Sequence, residues 1–140
     1  MSPSKRFLAV MVGALLWSTM ASAEVVVVVS AQNKAAAMSA AQVSQIFLGK
    51  VKRFPEGGAV VPVDQPEGSP MRDAFYNRFV GKNADQMKAY WSKSIFTGAG
   101  QPPKEVPNDA EVKRRLATDP TAIGYVDKSS VDQSVRIVLE

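Results

Sequence analysis

The sequence contains neither cysteine nor histidine. Without cysteine no disulfide can staple the chain, so packing alone must hold it together. Without histidine the commonest metal ligand and the commonest acid–base group are missing. A Ser-His-Asp or Cys-His mechanism is excluded outright, which weighs against enzymes as a class. No run of acids has the spacing of an EF-hand loop. The expectation is therefore no catalytic residue, no metal and no cofactor. Long hydrophobic runs are scarce too. Phe7 to Trp17 is apolar and uncharged but shorter than the ~20 residues that span a bilayer. Val25 to Val29 is only five residues long.

The amino-terminal pattern is that of a secretory leader. Lys5 and Arg6 precede the apolar stretch, and Ala21-Ser22-Ala23 supplies a small-residue cleavage site. Residues 1–23 are expected to be a signal peptide cleaved after Ala23, and residues 24–140 one periplasmic domain with no membrane insertion. No cysteine follows the apolar core, so a lipoprotein anchor is excluded as well. The 117 residues that remain suffice for one hydrophobic core. Of the 17 Lys+Arg, Lys5 and Arg6 belong to the leader, which leaves 15 against 13 Asp+Glu, a net charge of +2. The charges are interspersed. The one dense cluster, Lys113-Arg114-Arg115, falls in a helical pattern and reads as a solvated face, not a nucleic-acid surface.

Val25 to Val29 is a continuous β-branched run, as in a strand covered on both faces. Ser39 with Gln42 three residues on is a capping box, and Val43, Ile46 and Phe47 follow at helical spacing up to Gly49. Ala59 to Val63 reads as a second strand and Asp64 to Gly68 as a loop. Ser69-Pro70 opens a helix with Met71, Ala74, Phe75 and Phe79 on one face, ended by Gly81. Asn83 with Gln86 caps a third helix whose buried stripe is Met87, Tyr90 and Trp91, with Ile95 next. Thr97 to Pro107 is a Gly/Pro-rich loop. Asn108 with Glu111 caps a fourth helix, ended by Asp119-Pro120. Ala122 to Val126 and Val135 to Leu139 are further strands. This predicts an α/β domain with a mixed, mostly parallel four-stranded sheet flanked by about four helices. Phe47, Phe75, Phe79, Tyr90 and Trp91 read as core.

The segment from Asp64 to Phe75 carries the most chemistry. A strand ends, a tight turn follows, and a helix starts at a serine. The first turn of a helix leaves N–H groups without intrahelical partners and carries partial positive charge. A small oxyanion can dock there, with the Ser69 hydroxyl and the Arg72 guanidinium as further donors. On the bare chemistry, Ser69-Pro70 is more simply a cap and Arg72 a surface ion-pair partner.

Several segments resemble, in order, the phosphate-type periplasmic solute-binding family. Gln45-Ile46-Phe47-Leu48-Gly49-Lys50 is similar to its "IF-x-G-K" helix end, and Phe54 stands where it often has tryptophan. Glu67-Gly68-Ser69-Pro70-Met71 resembles its "D-G-S-G-T" phosphate loop. Asp119 to Val126 resembles its "P-G-A-I-G-Y-V" strand. The resemblance spans about residues 25 to 126 and implies one lobe of a type 2 periplasmic-binding fold. It implies an exported receptor that binds phosphate or a similar oxyanion for an ABC importer, through Gly68, Ser69 and Met71 at the helix start. The departures are specific. Gln65 replaces the family's arginine and brings no positive charge. Pro70 replaces a glycine and has no N–H. Met71 replaces a threonine. Arg72 would have to restore the charge from another direction.

Two lobes close around the ligand in that family, and this chain suffices for about one. An open single-lobe site needs a second surface, such as a second copy of the chain, an ABC permease or an envelope sensor. The leading reading is a solute-binding module for phosphate or a related oxyanion. The alternative is a ligand-free lobe acting as a protein-interaction or sensor module in the cell envelope. An enzyme ranks third: Asp64, Glu67 and Asp73, with Lys50 or Lys52 nearby in sequence, read more simply as solvated charges.

Overall fold

A computed structural model describes residues 24–140, together with Gly13. The expected leader, Gly13 apart, lies outside the described residues. The chain runs β1 (Val25–Ser30), α1 (Ala40–Phe47), β2 (Val61–Asp64), α2 (Pro70–Phe75), α3 (Ala84–Phe96), β3 (Lys104–Glu105), α4 (Asp109–Thr118), β4 (Ala122–Asp127) and β5 (Val135–Leu139). After α2 the helix widens into a π-type turn, Tyr76–Val80, before Gly81 ends it at φ 74°. The caps are those the sequence announces. Ser39 and Gln42 exchange backbone-to-side-chain hydrogen bonds of 2.9 and 3.1 Å, and Asn83 with Gln86 does the same at 2.9 Å. Asn108 accepts from the Glu111 N–H at 3.0 Å.

One sheet has the order β3-β2-β4-β1-β5. β2 is parallel to β3 and β4, while β1 is antiparallel to β4 and β5, so β1 alone opposes the other four. The mixed, mostly parallel sheet expected from the sequence is present, with five strands where four were read. The extra strand, β3, is two exposed residues inside the Gly/Pro-rich loop. Backbone pairing to Val63 and Asp64 creates it, and so short a strand has no hydrophobic pattern to announce it.

Burial explains the valine run. Val25, Val27 and Val29 point into the larger core with Ile46, Phe47, Phe75 and Trp91. Val26 and Val28 point the other way, onto Val112 and Leu116. Alternation sends successive side chains to opposite faces, so only a continuous apolar strand suits a sheet covered on both sides. Residues of α1, α2 and α3 share the first core, and α4 covers the second. Ile95 departs from expectation. It is 57% exposed because the last turn of α3 runs beyond the core, and Ser94 is buried in its stead.

β2 starts two residues later than the sequence suggests. Ala59 instead bridges Arg53, and the Val60 N–H bonds to the Lys52 carbonyl at 3.1 Å. The shift puts Asp64 in the strand and not in the loop after it.

Gly124, in the middle of β4, is required by close approach. A Cβ built there would lie 2.6 Å from Val112 Cγ1 of α4. Val112 is β-branched and buried, so it cannot swing aside. Gly124→Ala is expected to lose about 1–3 kcal/mol in urea unfolding by overpacking. The same change in a Val112→Ala background should cost clearly less, because the space is then available.

Candidate functional site

β2, β3 and β4 run parallel, so their carboxyl ends share one edge of the sheet, where α2 and α4 also begin. In open α/β sheets this edge is where ligands bind. At its centre Asp64, 1% exposed, ends β2. Its Oδ2 accepts the Tyr76 hydroxyl at 2.6 Å, and its Oδ1 accepts the Gln65 N–H at 2.9 Å and also the Tyr125 hydroxyl. Burial, and after it the Asp64 charge, push both tyrosine pKa values far above the ordinary value for a phenol.

Gln65 is equally enclosed, at 3% exposure. Its Nε2 donates to Asp109 Oδ1 at 2.8 Å and to the Tyr125 carbonyl at 3.3 Å, and its Oε1 accepts the Ser69 hydroxyl at 3.0 Å. Ser69 caps α2, accepting the Arg72 N–H at 3.3 Å. Arg72 Nη1 donates to the Gln65 carbonyl at 2.9 Å and to Glu105 Oε1 at 3.1 Å, and stands 3.9 Å from Asp64. The guanidinium also lies over the Tyr76 ring, 5.4 Å from its centroid. Burial would lower the Arg72 pKa, but Asp64, the two tyrosines and Glu105 together raise it. Asp109, the first residue of α4, completes the network: its Oδ2 accepts the Asp127 N–H at 2.9 Å and the Ser130 hydroxyl at 3.2 Å.

The fold therefore brings Gln65, Ser69 and Arg72 together, as the sequence suggests. The Ser69 hydroxyl, the Gln65 amide and Arg72 Nη1 end on oxygen atoms that the protein itself supplies, whereas Arg72 Nη2 and Nε make no hydrogen bond among the described residues. Gly68 is exposed in the turn at φ 89°, and the Met71 side chain packs against the larger core. Among the described residues, the Gly68 and Met71 N–H groups make no hydrogen bond. A shallow hollow of about 570 Å³ lies before this helix start, lined in part by Gln65, Ser69, Met71, Asn108 and Asp109.

Tyr76, Glu105, Asp109 and Tyr125 were not singled out by the sequence reading as part of this cluster. Glu105, Asp109 and Tyr125 reach it from distant elements and nothing local marks them, whereas Tyr76 lies one turn after Arg72 on the same helix, a spacing visible in the sequence. Of the acids considered for catalysis, Asp64 is consumed in the network and Glu67 is exposed. No group of three or more Asp or Glu among the described residues is placed to hold a metal ion. No helix among them is long and apolar enough to cross a membrane.

No protein-family model matches the sequence, and no curated protein matches it. Solved structures do match in fold. A protein described as a phosphate ABC transporter substrate-binding protein, with bound phosphate, from Clostridium perfringens superposes with a TM-score of 0.65 at 24% identity. The match covers 83% of this chain and 44% of that one. An ABC-type phosphate transport receptor from Vibrio cholerae gives 0.65 at 16% identity, over 83% and 45%. PstS from Borrelia burgdorferi gives 0.62 at 13% identity, over 84% and 47%. The chain thus spans less than half the length of these proteins, and its fold is that of a part of them.

Proposed function

We propose that this chain is an exported lobe of the solute-binding type that serves as a protein-interaction or sensor module in the cell envelope, without enzymatic activity. In this reading the polar cluster at the start of α2 is a structural hub. The observation that carries it is the occupancy of the donors. The Ser69 hydroxyl, the Gln65 amide and the Arg72 Nη1 group end on Gln65, Asp109, Glu105 and main-chain oxygens. A phosphate reaching for these donors would compete with the acceptors they already have and sit near Asp64, Glu105 and Asp109, where like charge opposes it. The leader-like pattern of residues 5–23 supports export, and the fold likeness supports descent from a solute receptor.

A second reading is an oxyanion receptor at Gly68, Ser69 and Met71, completed by a second copy of the chain, a permease or a sensor. It is favoured by the two unpartnered N–H groups and the hollow before them. Isothermal calorimetry with phosphate and sulfate at millimolar concentration separates the readings. The hub reading expects no saturable heat. It also expects Ser69→Ala to lose roughly 0.5–2 kcal/mol of stability by loss of the cap, equally with and without phosphate. Saturable phosphate binding that Ser69→Ala abolishes in a folded protein would overturn the hub reading and establish the receptor.

A further inference from the structure

A second hollow lies away from the helix-start cluster. It has a volume of about 600 Å³ and is bounded by the end of α1, the entry into β2, the middle of α3 and the loop before β3. Val51, Ala59, Val61, Pro62 and Pro103 give it an apolar wall, with the edge of the mostly buried Trp91 behind them. Such size and lining are typical of small-molecule sites, where a few polar groups orient an otherwise apolar guest. The polar groups here are of nearly one sign. Lys52, Lys104 and Arg115 stand at the rim, exposed and without an ion pair among the described residues. Asp119 is the one acid in the lining; its Oδ1 accepts the Thr121 N–H at 3.0 Å and the Thr121 hydroxyl at 2.6 Å, which with nearby Arg115 hold it ionised, so it offsets part of the positive charge.

We infer that this hollow binds a small amphipathic organic anion, an aliphatic or aromatic carboxylate whose apolar body lies against Val51, Pro62 and Pro103 beside Trp91 and whose head meets Lys52, Lys104 and Arg115. The apolar wall supplies most of the attraction through burial. The three cations select a negatively charged head over a neutral one, more strongly at low salt. Inorganic phosphate has no apolar body and gains little here, so this site is distinct from the helix start in position and in chemistry.

Decanoate, decanol and inorganic phosphate are the probes. Each is titrated at low salt and below any micelle threshold, followed by calorimetry and by the ¹⁵N indole signal of Trp91, assigned with Trp91→Phe. The expected result is saturable decanoate binding at one per chain that moves the indole signal, with decanol clearly weaker and phosphate silent. Lys104→Gln with Arg115→Gln should weaken decanoate roughly fivefold to tenfold and leave decanol unchanged. Ala59→Trp, at an exposed lining position, should block both. The inference is overturned if decanoate does not saturate, if decanol binds as well as decanoate, or if Ala59→Trp binds decanoate like the parent protein.

Discussion

Replacing Asp64 with alanine is expected to destabilise the domain by about 3–5 kcal/mol, the loss typical of breaking a buried charged network by removing one partner. Three donors converge on this carboxylate: the hydroxyls of Tyr76 and Tyr125 and the Gln65 N–H. Arg72 adds its charge at 3.9 Å. Alanine leaves both hydroxyls buried with no carboxylate to donate to, and each orphaned donor costs about 1–3 kcal/mol. A domain of this size has only about 5–15 kcal/mol in hand, so the urea midpoint should fall by roughly 2 M or the variant should fail to fold. The companion variant separates network from bulk. Asp64→Leu combined with Tyr76→Phe and Tyr125→Phe removes both hydroxyls with their acceptor and should recover part of the loss, the Gln65 N–H being left without either of its acceptors. A loss below about 1 kcal/mol for Asp64→Ala would contradict the hub described here.

Alkaline pH should unfold the protein steeply. Burial and the Asp64 charge raise the pKa of Tyr76 and of Tyr125 in the folded state. Below pH ~10 both phenols keep their protons whether the chain is folded or not, so they add no pH dependence. Above that value the unfolded chain releases protons that the folded chain retains. Stability is then lost at about 1.4 kcal/mol per pH unit for each tyrosine, or about 2.7 for the pair. Urea midpoints measured from about pH 9 to about pH 12 should trace this fall. Tyr76→Phe or Tyr125→Phe alone should each halve the slope, whatever it does to the stability at neutral pH. A flat profile, or phenolate absorbance for both residues near pH ~10 in a protein that is still folded, would refute the arrangement.

These expectations differ in how far they were legible beforehand. Helix starts were readable almost to the residue, because a cap is local. Ser39 with Gln42, Ser69 with Pro70, and Asn83 with Gln86 satisfy their own first turns within a few positions. The doubly covered strand was readable as well, since Val25 to Val29 carries no polar residue for water to claim on either side. β3 was not readable, because pairing with β2 and not side-chain pattern defines it. Nor was the start of β2, which yields to the bridge between Arg53 and Ala59.

The candidate site divides in the same way. Gln65, Ser69 and Arg72 were placed together by a turn and one helical turn, over eight residues of sequence. Which partners they meet was settled by elements far along the chain. Glu105 arrives from β3, Asp109 from α4 and Tyr125 from β4, and together with Asp64 they decide where the side-chain donors of the helix start are spent. The sequence by itself determined the α/β layering, the caps and the location of a polar helix start, because these follow from spacing and short-range hydrogen bonding. Only the tertiary structure decided that this start is knitted into a buried network and that a cation-rimmed hollow opens elsewhere. Charge and hydrogen-bond complementarity act across space, and the sheet order that brings their members together is not written in any one segment.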